Sequence, residues 1–291
     1  MLTRATLTVL MLAFGAGQPC VSMAQDTANQ THYDEQTHYD EIAGFADLLQ
    51  LRPLMEVIAQ EGIANAADLN EGLLNSEGGQ AWDVAISRLY DPKVMLDQIV
   101  GLLHEELGQD PKTLTASTVF FTSPAGQKVV SLEIEARRAL LADGAEAAAE
   151  AGYYGMVAKT SPRVDALARL VVANDLIESN VMTALNSNFA FLKGMASVSG
   201  EAGLNEPEIL AQVWAGEADA RKQTEVWIFP YLALAYEPMS DAELESYIAF
   251  SNSDAGQKLN AAIFRAFDAF MVGTSAKLGQ KVGTLMIGQD I

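Results

Sequence analysis

A nine-residue pattern occurs twice in this chain, and this repeat limits the possible folds more than any other feature. Phe-x-x-Ser-x-Ala-Gly-Gln-Lys occupies residues 120–128 and recurs 130 residues later, at 250–258. A fainter form, Ser-x-x-Gly-Gln, occurs at residues 76–80. A repeated segment of sequence indicates a repeated structural unit, so repeats are settled before a fold is assigned. The chain is therefore expected to contain two related halves.

The residues that follow each copy of the motif carry the same helical pattern. Apolar side chains recur at spacings of three and four residues, which is the period of one face of an α-helix. The matching positions are Ala125, Val129, Leu132, Ala136 and Ala139 in the first half, and Ala255, Leu259, Ala262, Ala266 and Ala269 in the second. We expect the halves to span 42–150 and 151–291, joined through the Ala- and Gly-rich stretch 142–155.

Helix starts are marked along the rest of the chain by capping residues. An N-cap side chain precedes proline, which is favoured at the first helical position, in three places. These pairs are Asp91-Pro92, Asp110-Pro111 and Ser161-Pro162. Ser240 and Glu243 have the spacing of a capping box. No segment alternates apolar and polar residues between hairpin turns. The predicted fold class is all-α, with two related helical-bundle halves and about eight or nine helices.

Residues 1–24 are typical of a secretory signal peptide. Arg4 precedes the apolar run 7–17, and Ser22-Met23-Ala24 places small residues at the −3 and −1 positions of a cleavage site. The run is shorter than the roughly 20 residues that span a bilayer. We therefore expect cleavage before Gln25 rather than an uncleaved anchor helix. The mature product would be periplasmic or secreted, and it would not span the membrane.

Residues 25–41 are polar and are expected to form a flexible leader. They contain a tandem repeat of Thr-His-Tyr-Asp-Glu, at 31–35 and 37–41. The two histidines and their neighbouring carboxylates could hold a divalent metal weakly. The alternative is a slipped duplication in an unfolded segment, which binds nothing. We favour the alternative, because a specific metal site needs ligands that a fold holds in place.

Composition and missing motifs exclude several classes of function. The formal net charge is −20, from 18 basic and 38 acidic residues, so nucleic acid is not an expected partner. Cys20 is the only cysteine and falls within the predicted signal peptide. His104 begins His-Glu-Glu-Leu-Gly, which lacks the second histidine of a zinc-protease helix. The chain has no phosphate loop and no Gly-x-Ser-x-Gly elbow. No catalytic residue, cofactor or metal is predicted.

The repeated motif itself is interpreted as a structural device. We expect its serines to cap helices, its glycines to permit a close helix contact, its glutamines to bond a loop backbone and its lysines to face solvent. The alternative is a paired site in which the free amides of the two helix starts bind an anionic group. The motif residues are Phe120, Ser123, Gly126, Gln127, Lys128, Phe250, Ser253, Gly256, Gln257 and Lys258.

The most unusual apolar stretch covers residues 226–236 and contains Pro230. Our first interpretation is a buried central helix that is kinked at this proline. The alternative is the wall of an apolar groove for a peptide, a partner helix or a lipid-like ligand. The candidate groove residues are Trp214, Trp227, Phe229, Tyr231 and Tyr236.

The order of these elements resembles a known family. A helix rich in Glu and Leu, then the motif, then a long amphipathic helix is similar to the domain-of-unknown-function 2059 family (DUF2059). The resemblance is clearest at 239–281, and 112–141 looks like another copy, which would give two copies in tandem. The later copy departs from the family's aromatic-Ser-Pro sequence pattern at Ser251 and Asp254. The resemblance implies an exported, mostly helical bacterial protein and carries over no catalytic residue.

Together these features predict an exported helical-repeat protein that acts by binding a protein, a peptide or an apolar ligand. One alternative is a carrier of small hydrophobic molecules. Another is an uncharacterised hydrolase that uses carboxylates, and a converging pair of buried carboxylates would favour it.

Overall fold

The computed structural model describes residues 28–198 and 203–289. The predicted signal peptide at 1–24 lies outside these residues. The described part of the chain is helical, with turns between the helices and no strand, so the predicted all-α fold class is confirmed. The helices are α1 (Ala28–Leu48), α2 (Leu51–Leu74), α3 (Gly79–Leu89), α4 (Pro92–Leu107), α5 (Pro111–Phe121), α6 (Pro124–Ala139), α7 (Ala145–Ala158), α8 (Pro162–Ala173), α9 (Leu176–Val198), α10 (Glu206–Ala215), α11 (Glu217–Tyr236), α12 (Asp241–Ser251) and α13 (Asp254–Gln289).

The thirteen helices in the described residues exceed the predicted eight or nine. The difference arises because several helices are separated by only one or two residues. Gln50 and Asp175 interrupt the chain in the left-handed region, with φ of 52° and 46°, and Gly216 alone separates α10 from α11. Neither Gln nor Asp is a strong helix terminator. The sequence pattern therefore does not mark these turns, and neighbouring helices are predicted as one.

Residues 28–41, which we expected to form part of a flexible leader, belong to α1. Ile42, Phe45 and Ala46 are buried and hold the C-terminal half of this helix in the core. No glycine or proline occurs between 28 and 41. Once a helix is anchored, each added residue gains a hydrogen bond, so the helix extends toward the N-terminus.

One hydrophobic core extends through both halves of the chain. It includes Leu49 and Phe121 from the first half and Tyr231 and Phe267 from the second. The long helix α13 packs along α9 and also contacts α2, α3, α4 and α5. The segments 42–150 and 151–291 therefore share their buried interior.

Small residues allow α9 and α13 to pack closely. A Cβ atom added at Gly279 would lie 2.0 Å from the Phe191 carbonyl oxygen, and one at Gly194 would lie 2.3 Å from that of Ala276. Real Cβ atoms do not approach so near, so only glycine fits at these positions. This close contact positions the C-terminal half of α13 beside α9.

The helices around the two motif copies have matching bounds. α5 and α12 begin at residues 111 and 241 and end at 121 and 251, and α6 and α13 begin at 124 and 254. Each pair of positions is separated by the 130 residues that separate the two motifs. α7 lies between the two sets of helices and overlaps the Ala- and Gly-rich stretch where the sequence places the junction.

Candidate functional site

The motif serines lie at the N-caps of α6 and α13. Ser123 Oγ accepts a hydrogen bond from the Gly126 amide at 3.1 Å, and Ser253 Oγ accepts one from the Gly256 amide at 3.0 Å. This is the position that the sequence analysis assigned to them. Each bond satisfies a backbone donor that has no partner within its own helix.

The motif glutamines join the ends of two helices in each half. Gln127 Nε2 donates to the carbonyl oxygens of Leu48 and Phe121, at 3.0 and 2.8 Å. Gln257 Nε2 donates to those of Ala173 and Ser251, both at 2.7 Å. The acceptors lie at the C-terminal ends of α1, α5, α8 and α12. These amides therefore bind carbonyls that a helix end leaves unpaired.

The motif glycines lie against the backbone of the preceding helix. A Cβ atom at Gly126 would lie 2.3 Å from the Phe120 carbonyl oxygen, and one at Gly256 would lie 2.1 Å from that of Phe250. The side chains of Phe120 and Phe250 stack on each other, with ring centroids 4.2 Å apart. The two copies of the motif are therefore in contact.

Lys128 does not simply face solvent, which corrects one part of the motif prediction. Its Nζ donates to both carboxylate oxygens of Glu243, at 2.9 and 3.0 Å, because the first turn of α12 lies beside α6. Lys128 and the N-terminal cap at Ser240 lower the pKa of Glu243 to about 2. Lys258 pairs with Asp254 within α13 at 2.9 Å and is half exposed. Because the caps and both lysines already have partners, this arrangement supports the structural interpretation of the motif over an anion site.

A buried carboxyl group, Glu133 on α6, is the most perturbed acid in the described part of the chain. Its side chain is 5% exposed. The Tyr236 hydroxyl donates to Glu133 Oε1, and the Tyr247 hydroxyl lies 3.3 Å from the same atom. Burial raises the pKa of Glu133 to about 8, although both tyrosine hydrogen bonds act to lower it.

A buried ion pair lies one helical turn further along α6. Arg137 Nε donates to Glu61 Oε1 at 2.7 Å, and Arg137 Nη2 lies 2.5 Å from Glu61 Oε2. Burial acts to lower the pKa of Arg137, but the Glu61 carboxylate outweighs this effect and the pKa is raised. The sequence contained a signal for both buried groups. Glu133 lies four residues after Val129 and four before Arg137, so all three share one face of α6.

This cluster does not form a converging carboxylate pair at an open cleft. Glu61 is paired with Arg137, and Glu133 Oε1 is bonded by tyrosine. Two surface cavities have volumes of about 300 and 380 Å³. The first lies between α4 and α13, the second lies between α8 and α12, and Glu133 lines neither of them. The geometry is that of a buried structural network.

The five candidate groove residues do not lie on one surface. Tyr231 and Tyr236 are fully buried, and the Tyr231 hydroxyl donates to the Glu133 carbonyl oxygen at 2.9 Å. Trp227 stacks on Tyr231, and Phe229 is half-buried beneath Tyr153 of α7. The buried part of α11 includes Pro230, in agreement with our first interpretation of a buried helix.

Trp214 alone among these five residues is mostly exposed, with 54% of its surface open to solvent. It lies on α10, which buries Ile209 and Val213 against α9. The neighbouring flank of the helix is apolar and exposed, and it consists of Pro207, Leu210, Ala211 and Trp214. We call these four residues the α10 face. Their spacing of three and four residues places them on one side of the helix.

Other predicted features lie apart from this face. His104 is in the last turn of α4, where its ring contacts that of Tyr39. No group of three metal-ligating side chains occurs within residues 28–198 and 203–289. None of the helices described in this structure combines the length and apolarity that crossing a bilayer requires.

Comparison with known proteins identifies one related segment. A family model described as "Uncharacterized protein conserved in bacteria (DUF2059)" matches residues 93–152, which run from α4 into α7 and include the first copy of the motif. The match does not include 239–281, where the sequence analysis found the resemblance clearest. No curated protein and no solved structure is significantly similar to the chain. The chain therefore contains one segment similar to this family, and the second copy in tandem remains a prediction.

Proposed function

We propose that this protein is an exported binding protein that contacts a partner protein through the α10 face. The exposed Trp214 carries the proposal. Of the other two tryptophans, Trp82 is 3% exposed and Trp227 is half-buried. Leu210, one turn from Trp214, is 46% exposed. Large exposed apolar side chains on one helix face are typical of a surface that another protein covers.

We also propose that the scaffold consists of two family copies in tandem, preceded by a cleaved signal peptide. The matching helix bounds, the paired serine caps and the paired glutamine bridges support the duplication. Gln50 and Asp175 are a further correspondence. Each has a left-handed backbone conformation and lies in a helix junction, α1–α2 or α8–α9, whose first helix ends at a carbonyl that a motif glutamine binds.

A partner protein explains the α10 face better than a small hydrophobic cargo does. Carriers of small molecules enclose them in concave, mostly apolar pockets. The α10 face is one side of a single helix, and the two described surface cavities are rimmed by charged or polar residues such as Glu105, Lys277 and Arg169. A helix face of this kind fits a second helix or an extended segment.

Site-specific photo-cross-linking in the producing cell tests the proposal. A photo-reactive amino acid at position 214 should repeatedly trap the same protein. The matched control is position 119, where Val119 is 68% exposed on α5 and far along the chain from α10. Adduct at 214 and none at 119 is the expected result. Absence of an adduct at 214, or the same adducts at both positions, would contradict a partner at the α10 face.

A further inference from the structure

We propose that the occupant of the α10 face is a cationic amphipathic helix of the partner protein. This inference rests on the proposed function of the same face and adds the chemistry of what binds there.

The apolar band has the geometry that an amphipathic helix recognises. Pro207, Leu210, Ala211 and Trp214 follow the spacing i, i+3, i+4 and i+7, and all four are exposed. A partner helix with apolar residues at the same spacing can lay its own stripe along this band. Trp214 supplies a large, stiff side chain at one end of the band, which is the type of residue that dominates binding energy at protein interfaces.

The charges around the band select a positively charged partner. Residues 204–220 contain four acidic residues and no basic one, namely Glu206, Glu208, Glu217 and Asp219. Lys193 pairs with Glu206 and Arg221 pairs with Glu217. Glu208 and Asp219 have no ion pair to a basic side chain within the described residues. Their carboxylates therefore attract Lys or Arg of a docking helix.

The same charges argue against a membrane as the occupant. The whole chain carries a formal charge of −20, and an anionic phospholipid surface would be repelled by it. Apolar side chains inserted among headgroups are normally accompanied by Lys and Arg on the flanking surface. Helix α10 itself carries Glu206 and Glu208 and no basic residue, and the nearby Lys193 is already paired with Glu206.

The corresponding helix of the first half, α3, is covered by neighbouring helices where α10 is exposed. Helices α1, α2 and α3 correspond in chain order to α8, α9 and α10. The last helix of each set, α3 or α10, carries one tryptophan. α3 is packed against α2 and α13, and Trp82 is 3% exposed. The main contacts of α10 are with α9 and α11, and Trp214 is left exposed. A docked helix would give α10 the cover that α13 gives to α3.

Calorimetric titration of the full-length mature protein tests this inference with a synthetic probe. The probe is an idealised Leu/Lys peptide that forms an amphipathic helix, and its counterpart carries Glu in place of every Lys. We expect saturable binding of one Lys peptide per chain, no binding of the Glu peptide, and weaker binding as salt is raised. Trp214→Ala should weaken binding about tenfold or more, and Asp219→Asn should weaken it by a smaller factor.

Matched variants separate docking on α10 from general attraction to an acidic protein. Val119→Ala removes an exposed apolar side chain elsewhere, and Glu135→Gln removes an exposed acid elsewhere. Both should leave affinity unchanged. Binding that Trp214→Ala does not weaken, equal binding of the Glu peptide, or Trp214-dependent binding to phosphatidylglycerol vesicles would each overturn the inference.

The inference and the proposed function can fail separately. If the Lys peptide does not bind but position 214 still traps one protein in the cell, the partner is not cationic and the proposed function stands. If neither result is obtained, both are wrong.

Discussion

The aromatic rings of Phe120 and Phe250 stack face to face, with centroids 4.2 Å apart and planes 3° from parallel. These two residues occupy the same position in the two copies of the motif. A contact of each residue with its own counterpart is the pattern of an isologous, two-fold interface, here formed within one chain. The repeat is therefore part of the interior contact between the halves. This contact gives a structural reason for the same residues to occur in both copies of the motif.

Removing this contact should weaken the whole protein. Phe250→Ala deletes a half-buried ring that also contacts Phe121 edge to face. We expect a loss of about 2 kcal/mol in the free energy of unfolding, below the range for a fully buried Phe. Urea denaturation measures this loss in the free energy of unfolding.

The control variant is Val119→Ala, which changes an exposed residue next to the stacked Phe120. It should change stability by less than about 0.5 kcal/mol. Equal effects of the two variants would contradict a structural role for the stack.

The motif glutamine and lysine of the second copy should behave differently from each other. Gln257→Ala leaves the carbonyl oxygens of Ala173 and Ser251 without their side-chain donor, so we expect a cost of about 1–3 kcal/mol. Lys258 pairs with Asp254 on the exposed surface, and Lys258→Ala should leave stability almost unchanged because solvent screens such a pair. Thermal denaturation of both variants gives the comparison. The opposite ranking would show that the glutamine is not a structural bridge.

The cap and the close contact of α13 give a further pair of variants. Ser253→Ala removes the acceptor for the Gly256 amide and should cost about 1 kcal/mol. Gly256→Val should cost more, because a Cβ atom there would lie 2.1 Å from a backbone oxygen that cannot move aside easily. Circular dichroism should show a lower melting temperature for both. A valine variant as stable as the wild type would mean that α12 and α13 are less closely packed than the structure has them.

Local chemistry made the helix starts predictable from sequence. Asp91, Asp110 and Ser123 each accept backbone amide bonds from residues two or three positions later, so the information lies within four residues. The burial of Glu133 could not be predicted in this way. Its partners Tyr236 and Tyr247 are 103 and 114 residues away in the chain. The position of Glu133 on the apolar face of α6 was the one sequence signal of its burial, and a position on such a face does not identify the buried partners.

The placement of the five candidate groove residues could not be predicted for a related reason. The composition of 226–236 indicates that the segment is apolar, but it does not say which neighbours cover each face of the helix. In the structure α7 covers Phe229, and the Glu133 cluster contains Tyr231 and Tyr236. Exposure of Trp214 depends on the absence of a covering helix over α10 in the described residues, which no local pattern encodes.

Export makes a prediction that is independent of the fold. The signal-peptide pattern ends at Ala24, so the intact mass of the exported protein should correspond to a chain that begins at Gln25. Mass spectrometry of the extracellular or periplasmic fraction decides this. Recovery of the protein with Met1 in a membrane fraction would show that the apolar run anchors the chain.

The buried acid predicts an unusual dependence of stability on pH. In the unfolded chain Glu133 has its ordinary pKa of 4.5, and in the folded protein burial raises this pKa to about 8. The folded state therefore binds the proton more tightly. The contribution of Glu133 to stability is fully present below pH 4.5, declines between pH 4.5 and 8, and is lost above pH 8. Ionising Glu133 at high pH leaves a buried charge with only tyrosine hydrogen bonds to stabilise it.

Replacing Glu133 with a neutral isostere isolates this effect from the other acids. Glu133→Gln should raise the melting temperature relative to wild type at pH 8 and have little effect near pH 4.5, because the amide resembles the protonated carboxyl group. The difference between the two proteins is the measured quantity, since other groups such as Glu243, whose folded pKa is about 2, lose their own contribution as the pH falls below 4.5. Glu135→Gln, which changes an exposed neighbour on α6 in the same way, is the matched control. A Glu133→Gln difference that is constant from pH 5 to pH 8 would mean that Glu133 does not titrate in this range.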